Sequence, residues 1–308
     1  MSDSPAPRVG SVPRMTNARR GRDVASPTLR RRRLSRLLRE LRDATGMTAG
    51  AVAKEAKERS GKTRGWSASK LTRLEGAEWK RAQADDVLTL LDIYGIDDAE
   101  ERRAYVTLAR EANQQGWWST FGDALGNGHF VGLESEASAI RTYESMTIPG
   151  LLQTPEYARA VISGNGLVAD EEELTTRVDA RMFRKSVFAK SSPVTFWAVL
   201  DELALLRIRP DLGGQLEHLL EMGERPNVGI QVLPISRGPH AAMSGQFVIM
   251  DFPPPDPPVV YLEVMSEEIY LEKPEEITRY QHVYDYVQAE ALSVTESRQL
   301  IRDRIASL

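Results

Sequence analysis

The chain is electrically divided. Of its 308 residues, 1–81 hold 21 Lys+Arg against 8 Asp+Glu, a net of +13, while 82–308 hold 19 against 36, a net of −17, beneath an overall charge of −4. Such segregation points to a first part that meets a polyanion and a remainder that stays off it. The competing reading is a solvated basic face on an acidic body. The length suits two domains. The hydrophobic fraction of 41 % is a little low for a compact globule, which a basic tail and loops account for.

Several classes fall away early. With no cysteine, a disulfide scaffold, a thiolate zinc site and a cysteine nucleophile are all excluded. No apolar run approaches the ~18 residues of a membrane span, and the opening "MSDSPAPRVGSVPRM" lacks the apolar centre of a signal peptide. The expectation is a soluble, cytoplasmic, nucleoid-associated protein with no membrane partner.

Residues 1–27, rich in Ser, Pro, Arg and Ala without a period, read as a disordered basic arm. In "LRRRRLSRLLRELRDATG", Leu29, Leu34, Leu37, Leu38 and Leu41 recur at helical spacing, Arg fills the other face, and Gly46 is a stop. That arginine face either touches phosphates or merely solvates the helix. Thr48 is placed to cap a second helix with Ala51, Val52 and Ala56 inward. Ser67 is placed to cap a third over 68–75, with Leu71 and Leu74 inward and Gly76 closing it. Amphipathic helices follow around 84–95 and 98–115. The expected division is a helix-turn-helix domain over 28–96, a helical linker over 97–129 and a larger domain over 130–308.

In that larger domain, 133–144 and 170–189 read as helices, and Thr154–Pro155–Glu156 is a strong helix start. "PVTFWAVL", "NVGIQVLPI", "GQFVIMDF" and "PVVYLEV" read as strands, and two helices close the chain. The fold class is therefore an all-α N-terminal helix-turn-helix domain followed by an α+β C-terminal domain with a mostly antiparallel or mixed sheet.

A helix fits the DNA major groove, where side chains near its N-terminus reach base edges. With Ser67 as cap, Ala68, Ser69, Thr72 and Arg73 lie opposite Leu71 and Leu74, with Lys70 on the flank. Arg73 is the best base reader, since its planar fork matches guanine O6 and N7, a contact giving about 1–3 kcal/mol of discrimination. Lys70 suits a phosphate, and Ser67 and Ser69 suit a phosphate or a base.

"GWSASKLTRLEGAE" (65–78), with "RELRDATGMTAGAVA" before it and "VLTLLDIYGI" after, resembles the Cro/C1-type (Xre-like) helix-turn-helix domain. "GWWSTF", "YESMTIPGLLQTPEYA" and the terminal "EEITRYQHVYDYVQAEALSVTESRQLI" resemble a large actinobacterial group of WhiJ-like regulators. The likeness covers about residues 28–308. It implies an interhelical ion pair between Arg42 and Glu75, a phosphate held at Thr48, and base reading at Ala68, Ser69 and Arg73. It also implies a partner, a small protein encoded next door, in an arrangement like antitoxin and toxin. The chain departs from the pattern at Ala49, where a phosphate-binding Gln is frequent, and at Ala68, which offers no hydrogen bond. The turn before the third helix is also several residues too long. Either the second helix extends through Glu58 and Arg59, or "RSGKTR" loops outward; Lys57, Arg59, Lys62 and Arg64 suit it to lie beside phosphate.

The four His, at 129, 218, 240 and 282, have no metal-site spacing, and neither a phosphate-cradling Gly-rich loop with Lys nor a Gly-x-Ser-x-Gly elbow is present. The acidic pairs Asp201/Glu202 and Glu267/Glu268 point to opposite faces if on strands. The expectation is therefore no catalysis, no metal and no cofactor. Tyr143, Gln153, Tyr157, Trp197 and His240 form a possible ligand pocket, the alternative being buried aromatics satisfied by hydrogen bonds. "FPPPDPP" (252–258) is either a loop between strands or a docking site, and Trp117 and Trp118 read as a staple between domains. Together these features describe a regulator that binds double-stranded DNA as a homodimer, since one short helix reads only a half-site. Its C-terminal domain would serve dimerisation, signal or partner binding. The alternative is a small-molecule-binding or enzymatic C-terminal domain for which the helix-turn-helix is an address.

Overall fold

The structure, a computed structural model, describes residues 27–61, 65–126, 128–166, 168–264 and 267–308. The basic arm lies outside these up to residue 26, as do Lys62 and Arg64 of the turn. Two compact units divide between Gly116 and Trp117.

The N-terminal unit is helical: α1 (Pro27–Thr45), α2 (Ala49–Ser60), α3 (Ala68–Glu75), α4 (Ala84–Ile93) and α5 (Ala99–Ala112). Leu34, Leu38 and Leu41 of α1 meet Val52, Leu71, Leu74, Leu90 and Leu108 in one core. The inner face of α2 is Val52, Ala53 and Ala56, and Ala51 is exposed, so the inward stripe starts one residue later than its spacing implied. The segment read as a linker is divided, because Tyr105, Leu108 and Ala109 of α5 complete this core whereas residues 117–129 belong to the second unit. The Asn113 side chain, just past α5, donates to the Ala82 carbonyl (2.7 Å) and accepts from the Ala82 amide (2.9 Å). It thereby closes the α3–α4 connection as a second peptide would.

The arginine face of α1 is largely structural. Arg30 and Arg32 are buried, Arg30 pairs with Glu111 at 3.3 Å, and Arg36 pairs with Glu40. The end of α3 also differs from expectation: Gly76 has an ordinary φ of −89°, and the left-handed residue is Ala77 at +59°. The Glu78 amide donates back to the Arg73 carbonyl at 2.9 Å, closing a Schellman-type cap one residue beyond Gly76.

The C-terminal unit is built on a six-stranded mixed sheet in the order β3-β2-β1-β4-β5-β6. Its strands are β1 (Ala139–Glu144), β2 (Thr195–Asp201), β3 (Val228–Leu233), β4 (Phe247–Asp251), β5 (Val259–Glu263) and β6 (Glu268–Leu271). The first three are parallel and the last three continue antiparallel from β1. Crossovers supply α7 (Pro155–Gly164) and α8 (Glu171–Arg184), then α9 (Glu202–Leu206) and α10 (Gly214–Met222). A short α6 (His129–Glu134) precedes the sheet, and α11 (Pro274–Glu290) and α12 (Val294–Ala306) follow it. Tyr143, Val199, Ile249 and Val260 pack on Ile277, Tyr284 and Val287 of α11. The opposite face of β1 carries Ile140, Thr142 and Glu144.

The helix read over 133–144 is corrected: only 129–134 is helical, and 139–144 is β1, hydrogen-bonded on both edges to β2 and β4. Tertiary pairing overrides a local pattern that fits either period. The helix read over 170–189 is α8 followed by a 3-10 turn over Lys185–Ala189. "FPPPDPP" is the loop joining antiparallel β4 and β5. Trp117 makes its ring contacts with Trp118, Phe121 and Phe183 of the C-terminal unit.

Trp197 lies flat over Gly229, its register partner on β3, and a Cβ at 229 would stand 2.4 Å from the indole. Gly229→Ala is therefore expected to destabilise the C-terminal unit by about 1–3 kcal/mol through overpacking. A denaturant melt followed by tryptophan fluorescence reads this; an unchanged midpoint would show that the sheet yields without cost.

Candidate functional site

Two places concentrate polar groups, one in each unit. In the N-terminal unit it is α3. The Ser67 hydroxyl accepts from the Lys70 amide at 3.0 Å, and Leu71 and Leu74 turn inward. Ala68, Ser69, Thr72 and Arg73 are exposed together on the outer face. Among the described residues the Arg73 guanidinium has no hydrogen-bond or ion-pair partner. Lys70 differs from its neighbours: its ammonium pairs with Asp86 of α4 at 2.7 Å and stands 4.4 Å from the Trp66 ring centroid. Thr48 is exposed and caps α2 by accepting from the Ala51 amide at 3.2 Å.

The C-terminal end of α3 is tied to α1. Arg42 meets Glu75 with two bonds, Nε–Oε1 at 2.7 Å and Nη2–Oε2 at 2.9 Å, and Nη1 donates to the Met47 carbonyl. The Glu75 side chain is 5 % exposed. Arg39 donates to the Glu75 carbonyl at 3.0 Å, and the Ser35 hydroxyl donates to the Leu74 carbonyl while accepting from the Trp79 indole. These bonds satisfy carbonyls that a helix end leaves open. Of the two ways to lengthen the preceding turn, α2 takes the first, running through Glu58 and Arg59 to Ser60, with Gly61 left-handed behind it. Arg59 is engaged internally, donating to the Asp92 carbonyl and pairing with Glu55. Two residues that the sequence reading passed over, Lys80 and Arg81, are exposed beside α3 and border with Arg73 a cleft of about 370 Å³. They belong to the same basic run, which was the available signal.

In the C-terminal unit, the five residues read as a ligand pocket do not converge. Tyr143 is buried, donating to Asp201 Oδ2 at 3.2 Å and standing 3.3 Å from His240 Nε2. Because the Ala242 amide donates to His240 Nδ1, the ring's proton sits on Nε2 and points at the Tyr143 oxygen. Asp201 also caps α9. The relay is thus fully used in holding loops. Trp197 donates to Gln231 at 2.8 Å, which in turn holds the Leu292 carbonyl. Tyr157 and Gln153 act as a pair on the loop after β1: the Ile148 amide donates to the Tyr157 hydroxyl and the Gln153 amide donates to the Ile148 carbonyl.

Of the five, only Gln153 lines the cavity of about 470 Å³ that lies over the Ile140–Thr142–Glu144 face of β1. "TIPGLLQ" forms one wall and α8 another. Arg184 makes a bidentate pair with Glu134 at 2.7 and 2.8 Å, and a Cβ at Gly150 would lie 3.2 Å from its Nη1, so glycine lets the loop cross the guanidinium. Arg181 donates one hydrogen bond, to Gln153 Oε1 at 3.0 Å. Burial, with Arg184 and Arg177 alongside and against the opposing pull of Glu263 and Glu134, draws its guanidinium down to about 10, still charged at neutral pH. Burial pushes the Glu144 carboxyl up to about 8; Glu263 adds to this, while Thr142, Arg184 and Arg181 oppose it. The Thr142 hydroxyl is 3.1 Å from both Glu144 Oε1 and the Phe247 carbonyl. Its single proton is shared between these two acceptors, and the part directed at Glu144 favours the charged carboxylate, which is why Thr142 works against the rise that burial causes. The sequence signal for this site was Arg177, Arg181 and Arg184 at helical spacing in an acidic domain.

A helical unit presenting a capped, outward-facing short helix, joined in sequence to a mixed-sheet unit, defines a helix-turn-helix protein with a large second domain. The model of a helix-turn-helix domain matches residues 33–104, and that of a domain of unknown function, DUF5753, matches residues 128–303. The second match spans more than half of the chain, which belongs to that family. No curated protein and no solved structure matches it. Among the described residues no helix is long and apolar enough to cross a membrane.

Two substitutions test these sites. Glu75→Gln leaves Arg42 facing a neutral amide and is expected to cost the N-terminal unit on the order of 3 kcal/mol. Helical circular dichroism during urea unfolding reads this, and an unchanged midpoint would mean that Arg42 is held by its bond to the Met47 carbonyl and its pairing with Asp43, 3.0 Å away, alone. For Glu144, the folded chain keeps a proton that the unfolded chain has lost between about 4.5 and about 8. Native stability therefore falls as pH rises through that window and levels off above it. Glu144→Gln should melt higher than the wild type at about pH 9, by up to roughly 5 kcal/mol, and lose the advantage by about pH 4. Parallel melting curves at both pH values would refute the neutral carboxyl.

Proposed function

We propose that the chain is a sequence-specific DNA-binding transcriptional regulator of the Xre-like, WhiJ-like kind that sets α3 in the major groove. The observation that carries this reading is the outer face of α3, where Arg73 stands exposed without a partner at the end of a helix whose far side is clamped to α1. Arg73 reads a guanine, Ser69 and Thr72 contact a base or phosphate, and Ala68 gives apolar contact. Ser67 and Thr48 sit at helix N-termini, where a phosphate is favoured by the open amides and the helix dipole. Lys80 and Arg81 take backbone positions beside them, a sequence-independent grip that weakens with salt. Lys70 acts by positioning, since Asp86 already holds its charge. Lys62 and Arg64 of the lengthened turn add phosphate contacts.

The acidic C-terminal domain serves dimerisation and receives a signal or a small protein encoded next door, an antitoxin-like arrangement in the cytoplasm, and performs no chemistry of its own. Dimerisation follows from the half-site reach of one short helix. The test is binding to the DNA upstream of the protein's own coding region against shuffled DNA at physiological salt. Arg73→Ala is expected to lose about 1–3 kcal/mol on the upstream DNA and to leave shuffled binding nearly unchanged. Equal losses on both would reduce Arg73 to a phosphate contact. Failure to copurify with the neighbouring protein would remove that partner from the reading.

A further inference from the structure

The cavity of the C-terminal unit holds a cation that its protein surroundings do not neutralise by direct contact. Of the three arginines on the inner face of α8, Arg177 pairs with Glu173 and Arg184 with Glu134. Arg181 lines the cavity, and its single hydrogen bond goes to a neutral amide oxygen, that of Gln153. A guanidinium has five donors in a planar fork, and this half-buried one uses a single bond among the described residues, leaving the rest of the fork open to the cavity. Of the four carboxyls that line the same space, Glu134 is paired with Arg184, Glu144 is kept neutral by burial, and Glu263 and Glu268 are exposed at its rim to solvent. The apolar part of the lining includes Ile140, Ile148, Ile162 and Phe196. The volume is in the range of small-molecule sites, and such sites combine an apolar lining with few convergent polar groups. In sheets of this kind they lie beyond the carboxyl ends of parallel strands, which is where Glu144 and the loop after β1 stand.

We infer that this cavity is a binding site for a small amphipathic monocarboxylate, its carboxylate on the Arg181 fork and its hydrocarbon part against the isoleucines and Phe196. One free guanidinium matches one planar anion in bidentate geometry. A phosphate dianion would find no second free cation on α8, and a cationic ligand would face Arg181. The inference does not rest on DNA reading, and its test contains no DNA, so either can fail alone. It gives the C-terminal domain a signal of defined chemistry.

The test is thermal denaturation of the full chain at neutral pH with millimolar phenylacetate or hexanoate, each beside its carboxamide. A midpoint that rises with acid concentration and not with amide is expected for at least one pair. Arg181→Gln should weaken that binding at least about tenfold. No shift with either acid, or equal shifts with acid and amide, overturns the assignment, and this contrast decides the matter on the wild type should Arg181→Gln fail to fold. The charged and titratable groups around Glu144 are Tyr157 on α7, Arg181 and Arg184 on α8, and Glu263 on β5, with the Thr142 hydroxyl of β1 as a hydrogen-bond donor. Above its titration Glu144 adds a buried negative charge to the cavity floor, beside the space that Arg181 faces. The acid should therefore bind more weakly at about pH 9 than at about pH 7 in the wild type and equally in Glu144→Gln. Equal wild-type binding at the two pH values would put the anion elsewhere and overturn the site.

Discussion

The N-terminal unit depends on the fixing of one short helix. With eight residues, α3 is about 12 Å long and far below the length at which a helix persists alone. Its own sequence supplies a cap at Ser67 and two buried leucines, which set depth and rotation about its axis. Direction in space is set at the other end, where the fork of Arg42 grips the Glu75 carboxylate and Arg39 and Ser35 grip the last carbonyls. A pair with one member almost fully covered has little freedom to slide. The position of every outward side chain, Arg73 above all, follows from that grip.

The C-terminal unit uses arginine differently. Along one face of α8, Arg177, Arg181 and Arg184 recur at four and three residues, two neutralised by glutamates and one left against a neutral amide. Around them the carboxyl of Glu144 is kept protonated by burial, so the space has a smaller negative charge than its composition implies. The polar network on the other face of β1, from His240 through Tyr143 to Asp201, is closed upon itself. One sheet thus separates a network closed on itself from a face where one arginine fork stays open to a cavity.

Helices that carry their own start signals were legible in the sequence: Thr48, Ser67 and Thr154 each cap where their spacing placed them, because a cap is a local bond between residues three apart. Strand β1 was misread because Ile140, Thr142 and Tyr143 satisfy either period, and the decision is made by β2 and β4, more than 50 residues away. The four-residue edge strand β6 was missed for the same cause, being defined by its partner β5. At the site level, Arg42 and Glu75 were legible only through resemblance, since 33 residues separate them. The pocket read from aromatics failed because aromatic rings announce burial, and Tyr143 and Trp197 proved to be core. The engagement of Lys70 by Asp86 could not be read, since it depends on how α4 packs.

Asn113 has a consequence for where the DNA-reading unit can be cut. The helix-turn-helix match stops at residue 104, in the middle of α5, yet the amide that closes the α3–α4 connection is nine positions further on. A fragment trimmed to the match would lose Leu108 and Ala109 from the core and leave both polar groups of the Ala82 peptide without their side-chain partner. The smallest excisable piece therefore ends beyond Asn113. Exchanging such units between proteins means cutting in the few residues between Asn113 and Trp117, so the seam is set by one side-chain amide and not by the motif.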